Sequence, residues 1–213
     1  MRFKSFSFDC VYAIVNLVIV EGSGFMFDNE TLKIIKRRRS VRSFKEEQIK
    51  EEELQAILDA GLYAPNAGGQ AWHFTVVQNR GLLDKLNLAA KEAAKRMDFE
   101  HLRKLGKDEG FNCLYGAPTL IIVSGSEQAP IPLDADCAAA TENLLLAAES
   151  VGVGSCWIFF VMMAFNAPNA ADLRKVLNMP EGYKPYYAAV FGYKEAATAA
   201  APERKPDLIT YIR

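Results

Sequence analysis

The chain has 213 residues, 50% of them hydrophobic and 24% charged, with a formal net charge of -1 and an isoelectric point near 6.2. These figures describe one globular domain of ordinary size, or one domain plus an extension, with ample material for a core. They argue against a general nucleic-acid or membrane-surface binder, which needs a broad basic face. The four cysteines (Cys10, Cys113, Cys137, Cys156) lie far apart, without a C-x-x-C pair or metal-ligand spacing, as expected of a reducing compartment such as the cytoplasm.

Residues 1–27 read as an N-terminal extension and residues 28–213 as the domain. The extension holds an apolar run from Val11 to Val20, interrupted by Asn16 and preceded by Arg2, Lys4 and Asp9. The run falls short of the ~20 residues that span a bilayer. Glu21-Gly22-Ser23-Gly24 offers no good small-x-small cleavage site for a signal peptide. Three readings stay open: an extension outside the functional chain, with translation starting at Met26; an added strand or partner arm; or an export or anchoring segment.

From Asn29 the pattern becomes regular. Asp28 or Asn29 can cap a helix carrying Leu32, Ile34 and Ile35 that ends in a basic run. Lys50 to Tyr63 is a second helix, with Leu54, Ile57, Leu58 and Leu62 on one face and three glutamates in its first turn. Ala64 to Gln70 is a loop by composition. Trp72 to Gln78 reads as a strand, Leu82 to Met97 as an amphipathic helix, and the charged residues 98–112 as a helical surface excursion or lid.

Ala117 to Ser124 is a buried strand whose proline sits at its start. Asp134 or Asp136 caps a long helix that runs to Ser150 and ends at Gly152. This helix is apolar nearly all round, so it is buried on several sides, and its small residues permit close approach of a second copy. Ser155 to Val161 is a strand, Ala170 to Leu177 a helix, Tyr186 to Tyr193 a strand and Leu208 to Ile212 a short terminal strand.

No G-x-G-x-x-G, P-loop or G-x-S-x-G is present, and Gly152-x-Gly154 lies in the wrong order for a dinucleotide turn. The only histidines are His73 and His101, too few for a histidine-based metal site or a Ser-His triad. His73 reads as structural and His101 as solvated. The run Lys36-Arg37-Arg38-Arg39-Ser40-Val41-Arg42 is different, because five of its seven residues are basic in a nearly neutral protein. It can cradle a phosphate, contact nucleic acid or be a solvated helix end. An extended backbone would put Arg38, Ser40 and Arg42 on one face, where guanidinium and hydroxyl groups suit phosphate oxygens. Lys36 and Arg37 read as ordinary helix-end charges. A second basic pair, Arg204-Lys205, lies between Pro202 and Pro206.

Several motifs together give the chain its resemblance. They are Arg38-Arg39-Ser40-Val41-Arg42-Ser43-Phe44; Ala64-Pro65-Asn66-Ala67 followed by Gln70-Ala71-Trp72-His73-Phe74; Glu142 through Ile158; and Pro180 to Pro185 before Gly192-Tyr193, with Arg204-Lys205 after it. In this order they resemble the FMN-dependent nitroreductase family across residues 28–213. The resemblance implies an α+β fold, with a mostly antiparallel central sheet flanked by helices, in an interlocked homodimer joined through the long apolar helix. It implies FMN as cofactor and NADH or NADPH as donor. Arg38, Arg39 and Ser40 would bind the phosphate and ribityl chain, and Arg42 would face the pyrimidine edge. Arg204, with Lys205, would close on the phosphate. Pro65, Asn66 and Ala67, with Gln70, would approach the flavin of the partner subunit, and Trp157, Ile158 and Phe159 would lie against the flavin ring.

The implied activity is ping-pong transfer of hydride through FMN to a nitroaromatic, quinone or similar acceptor, with no catalytic side chain, metal, nucleic acid or membrane. The alternatives are an enone, a halogenated aromatic or a flavin as acceptor, or a flavin-binding or sensing protein with little turnover. Two departures stand out. The loop Pro65 to Gln70 is one residue shorter than the family's Pro-x-x-x-Asn-x-Gln and lacks that Asn, and Phe159-Phe160 stands where a Gly is frequent. The two phenylalanines would either narrow the acceptor side or add to the core.

Overall fold

The computed structural model describes residues 27–67, 69–168 and 170–213. The expectations for Val11–Val20 and for Cys10 lie outside the described residues. The first helix, α1 (Glu30–Arg37), is capped by Asn29, whose side-chain oxygen accepts from Leu32 N at 2.9 Å. It stops where Arg38 turns extended, with φ -51° and ψ 132°. Helix α2 (Glu51–Leu62) starts at Lys50, whose N–H donates to the Glu53 carboxylate at 3.0 Å. The acidic first turn complements the positive end of the helix dipole.

Strand β1 (Trp72–Val77) is followed by α3 (Arg80–Ala94) and α4 (Glu100–Lys107), the latter filling the charged excursion. Strand β2 (Thr119–Ser126) leads to α5 (Asp134–Ser150) and β3 (Gly154–Ile158). A 3-10 helix (Phe160–Asn166), α6 (Ala170–Val176) and β4 (Tyr183–Gly192) complete the domain. The sheet has four antiparallel strands in the order β1-β2-β4-β3. The fold is α+β, with helices on both faces of an antiparallel sheet.

Residue alternation along the strands makes two cores. Leu120, Ile122, Cys156, Ile158, Ala188 and Val190 face α3, the 3-10 helix and α6. Ile121, Val123, Ala189 and Phe191 face α2 and α5. Because both faces are covered, β2 reads as an unbroken apolar run. Helix α2 approaches α5 closely at Gly61, where a Cβ would stand 2.7 Å from Leu144 Cδ2.

Three expectations change. The strand after Gly154 ends at Ile158, because Phe160, Val161, Met163 and Ala164 are buried at helical spacing, not on alternate positions. Neither Asp134 nor Asp136 caps α5. Leu133 occupies that position, and both aspartates lie in the first turn. Leu208–Ile212 forms no strand: it pairs with no strand among the described residues, and Ile212 is 96% exposed.

Arg37 also proves to be more than a solvated helix end. The Glu149 side chain, only 6% exposed in the last turn of α5, accepts from Arg37 Nε at 2.8 Å and from Lys194 Nζ at 2.8 Å. Burial pushes the Glu149 carboxyl up, but the hydrogen bonds and charges of Lys194 and Arg37 outweigh it and hold the group below its ordinary range. Because the folded-state pKa is depressed, this stabilisation is present above the unfolded-state pKa and is lost as pH falls through the folded one. Glu149→Ala is expected to destabilise the chain by about 2 kcal/mol. That is less than for a fully buried pair because Arg37 is largely solvated. Denaturant midpoints measured from pH 7 down to pH 3 check this: the wild type's advantage should shrink toward the acid end.

Candidate functional site

The basic segment 38–42 lies along the outer edge of β3. Val41 N donates to Ser155 O at 2.9 Å, and Ser40 bridges Ser155 in parallel fashion. Val41 is buried, so its neighbours Ser40 and Arg42 turn outward. Farther on, Phe44 bridges Lys194 and Lys45 N donates to Tyr193 O at 3.0 Å, so the ribbon also follows the chain leaving β4.

Arg38, Ser40 and Arg42 all act electrostatically on one group, the thiol of Cys156. Burial pushes that thiol above its ordinary value, against the opposing influence of Arg42, Ser40 and Arg38. Arg38 is a quarter exposed, and its Nε lies 3.8 Å from the Glu142 carboxylate of α5, a loose ion pair. The Arg42 guanidinium sits over the Tyr115 ring at 5.9 Å. Arg39 turns back and donates to the carbonyl of Arg38.

The loop between α2 and β1 is held separately. Asp136, 9% exposed, accepts from Ala67 N at 3.0 Å, which ties the loop to the first turn of α5. Within the loop, Asn66 accepts from Gln70 N at 3.4 Å. Gln70 has a left-handed backbone, with φ 46°, and it follows Gly69 at φ 84°. Pro65, Ala67 and Gln70 are exposed and Asn66 is half-buried.

At the end of β3, Trp157 is 36% exposed and meets Tyr187 edge-on at 5.0 Å. Ile158 is buried on the opposite face. The two phenylalanines part company: Phe160 is core, edge-on to Phe111 at 5.0 Å, whereas Phe159 is 71% exposed. Arg204 and Lys205 lie in an exposed segment, where Arg204 donates to Pro202 O at 3.4 Å. Among the described residues, no hydrogen bond or ion pair joins either of them to Arg38–Arg42.

Arg38, Ser40 and Arg42 thus share the ribbon along the β3 edge, and the 64–70 loop and Arg204-Lys205 are separate pieces of the chain. Sequence reasoning missed Asp136, Glu142 and Tyr115. Asp136 carried a signal, a carboxylate in the first turn of a buried helix, but it was read as a cap. Among the described residues, no helix is long and apolar enough to cross a membrane.

The pattern of the nitroreductase family matches residues 35–193. The chain belongs to that family. A crystal structure of a nitroreductase with bound FMN from Bacteroides fragilis is 40% identical, with a TM-score of 0.81. The match covers 87% of this chain and 100% of that one. A nitroreductase with bound FMN from Desulfitobacterium hafniense is 30% identical, with a TM-score of 0.80, over 88% of this chain and 100% of that one. A relative from Archaeoglobus fulgidus, provisionally named NADH dehydrogenase/NAD(P)H nitroreductase, is 32% identical over 168 residues, 77% of this chain and 85% of the relative.

The Asp136 contact is open to a direct test. Asp136→Ala removes the hydrogen bond that Ala67 N donates to α5, at an expected cost of about 1 kcal/mol. Hydrogen exchange should quicken at Ala67 and its neighbours while the β2 amides keep their protection. Uniform loss of protection would instead mean that Asp136 supports the whole fold.

Proposed function

We propose that this chain is an FMN-dependent oxidoreductase that takes hydride from NADH or NADPH and delivers electrons to an electron-poor acceptor such as a nitroaromatic or a quinone. The observation that carries this reading is the set of groups along the β3 edge. Three guanidinium groups and a hydroxyl stand on a short extended ribbon, with only the loose Arg38–Glu142 pair to neutralise them among the described residues. That donor set fits a phosphate monoester, which guanidinium groups bind through paired charge-assisted hydrogen bonds.

In this reading Arg38, Arg39 and Ser40 hold the phosphate and ribityl chain of FMN, and Arg42 stands at the pyrimidine edge. A cation there would favour negative charge on the ring. Trp157, Ile158 and Phe159 carry the backbone against which the ring rests. Bound FMN supplies the redox chemistry, accepting hydride from the nicotinamide and passing electrons to the acceptor in a ping-pong cycle. The chain's own work is to bind, orient and exclude water, and no side chain is assigned as acid or nucleophile.

The working unit in this proposal is a homodimer. Pro65, Asn66, Ala67 and Gln70 face the partner's cofactor, and Arg204 with Lys205 closes on the phosphate from the C-terminal segment. Exposure of Leu208, Ile209, Tyr211 and Ile212 supports the dimer, since a segment so apolar gains by packing on a second copy. The domain of the proposal is residues 28–213, with 1–27 outside it. Burial pushes the thiols of Cys113 and Cys137 up to about 12, and free, unreactive thiols suit a reducing cytoplasm. The burial of Phe160 weighs against a flavin binder without turnover, because that side chain is spent on the core.

Purified protein is expected to be a yellow dimer whose FMN absorbance bleaches when NADH or NADPH is added anaerobically. A colourless chain that takes up no added FMN would refute the proposal. Arg38→Ala removes a charge-assisted phosphate contact of about 1.5–3 kcal/mol, so FMN affinity should fall by roughly ten- to a hundredfold. Unchanged affinity in an equilibrium titration would reject that assignment.

A further inference from the structure

Beside the exposed ring of Phe159 lies a cavity of about 220 Å³, between the end of α3 and the 3-10 helix. Its lining is mostly apolar and includes Met97, Met162, Met163, Phe159 and Ala93. Two polar side chains reach it, Arg96 and Asn166. Arg96 is exposed and makes no ion pair among the described residues. The nearest acid in sequence, Asp98, pairs with Arg103, and Glu92, which also feels the Arg96 charge, is paired with Lys95.

This combination selects a ligand by chemistry. Thioether sulfurs make favourable contacts with aromatic rings. Apolar walls with a few convergent polar groups are the usual make-up of a small-molecule site. A guanidinium outside any ion pair can bind a carboxylate or another anionic group. Size agrees: an apolar cavity of about 150 Å³ accepts a benzene ring, so this one has room for a ring with one or two small substituents. Position agrees as well, since Phe159 directly follows Trp157-Ile158, the segment proposed to lie against the flavin.

We propose that this cavity holds the ring of the electron acceptor, an aromatic acid that also carries a nitro or quinone group, with its acid group on Arg96. The proposal rests on the FMN-dependent reading of the preceding subsection and narrows its acceptor to a class. Asn166 can hydrogen-bond a neutral ring substituent, whereas Arg96 selects an acid.

The test uses the full-length chain loaded with FMN, without NADH or NADPH, titrated calorimetrically with 4-nitrobenzoate and with nitrobenzene. The wild type should bind 4-nitrobenzoate at least tenfold more tightly. Arg96→Gln should bring 4-nitrobenzoate to the affinity of nitrobenzene and leave nitrobenzene unchanged. Ala93→Phe, which fills the cavity, should weaken both by tenfold or more while FMN content and unfolding midpoint stay near wild type. Turnover should follow binding, so the kcat/KM ratio of the two compounds should fall in Arg96→Gln.

Equal binding of the two compounds by the wild type, or a preference that survives Arg96→Gln in binding or in turnover, would overturn the proposal. If Ala93→Phe fails to fold, Arg96→Gln still decides, because it alters a solvated side chain. A chain that takes up no FMN fails at the earlier step. The titration then still reports on the cavity, since all its walls belong to one chain.

Discussion

The hydrogen bond from Val41 N to Ser155 O sets which way Arg38, Ser40 and Arg42 face along the β3 edge. An edge ribbon has a side-chain period of two, so fixing one residue fixes the parity of all of them. With Val41 turned into the core, Ser40 and Arg42 must face out, and Arg38 follows the same parity. A slip of one residue would bury a guanidinium and expose a valine, which the apolar surroundings of Val41 forbid. The register is thus held by a hydrophobic residue, although the groups it presents are ionic. That division is economical: the chemistry-bearing side chains stay free of structural duty and remain available to an anion.

The ribbon starts from α1, and α1 has no buried residue of its own. Its half-buried Leu32 and Ile34 give limited apolar packing, and the Glu149 clasp fixes its end. One carboxylate joins the last turn of α1, the last turn of α5 and the residue that follows β4's exit, Lys194. Glu149 alone in that position would be costly, since desolvation raises the energy of a charged carboxylate. Two cations, both partly hydrated, reverse the balance because they lose little hydration themselves while they satisfy both of its oxygens. The same acid keeps Arg37 out of the 38–42 set. Two adjacent arginines of one basic run therefore have different roles, which composition does not distinguish.

Much of the layout was legible in the sequence because periodicity reports burial. The helices at 30–37, 51–62, 80–94 and 134–150 and the continuous apolar strand at 119–126 follow from local pattern alone. The failures share one cause, a partner distant in the chain. Phe159–Phe165 is apolar throughout and carries no alternation to separate strand from helix, so only the packing of Phe160 on Phe111 decides it. Asp136 looks like a cap from its own helix, but its acceptor oxygen is turned toward an amide 69 residues earlier in the chain. Arg37 resembles its neighbours until Glu149 is placed beside it. The alternation of Arg38, Ser40 and Arg42 was legible, since it needs only an extended backbone. Its seat on β3 was not, since nothing local names Ser155.

The C-terminal segment shows how the proposed site and the proposed assembly depend on one another. Leu208, Ile209, Tyr211 and Ile212 stand exposed together, and a chain that kept them in water would forgo the burial that stabilises the rest of the fold. In an extended backbone these residues put apolar side chains on both faces, and the segment finds no edge among the described residues of its own chain. A second copy offers an identical sheet. If the segment packs there, Arg204 and Lys205, a few residues upstream, are carried to the partner's surface with it. The apolar residues would then supply the affinity and the two cations the charge. In this arrangement a phosphate between the subunits would be met by Arg38 and Arg39 of one chain and Arg204 of the other. Loss of the apolar anchor would weaken cofactor binding without touching a single residue of the 38–42 ribbon.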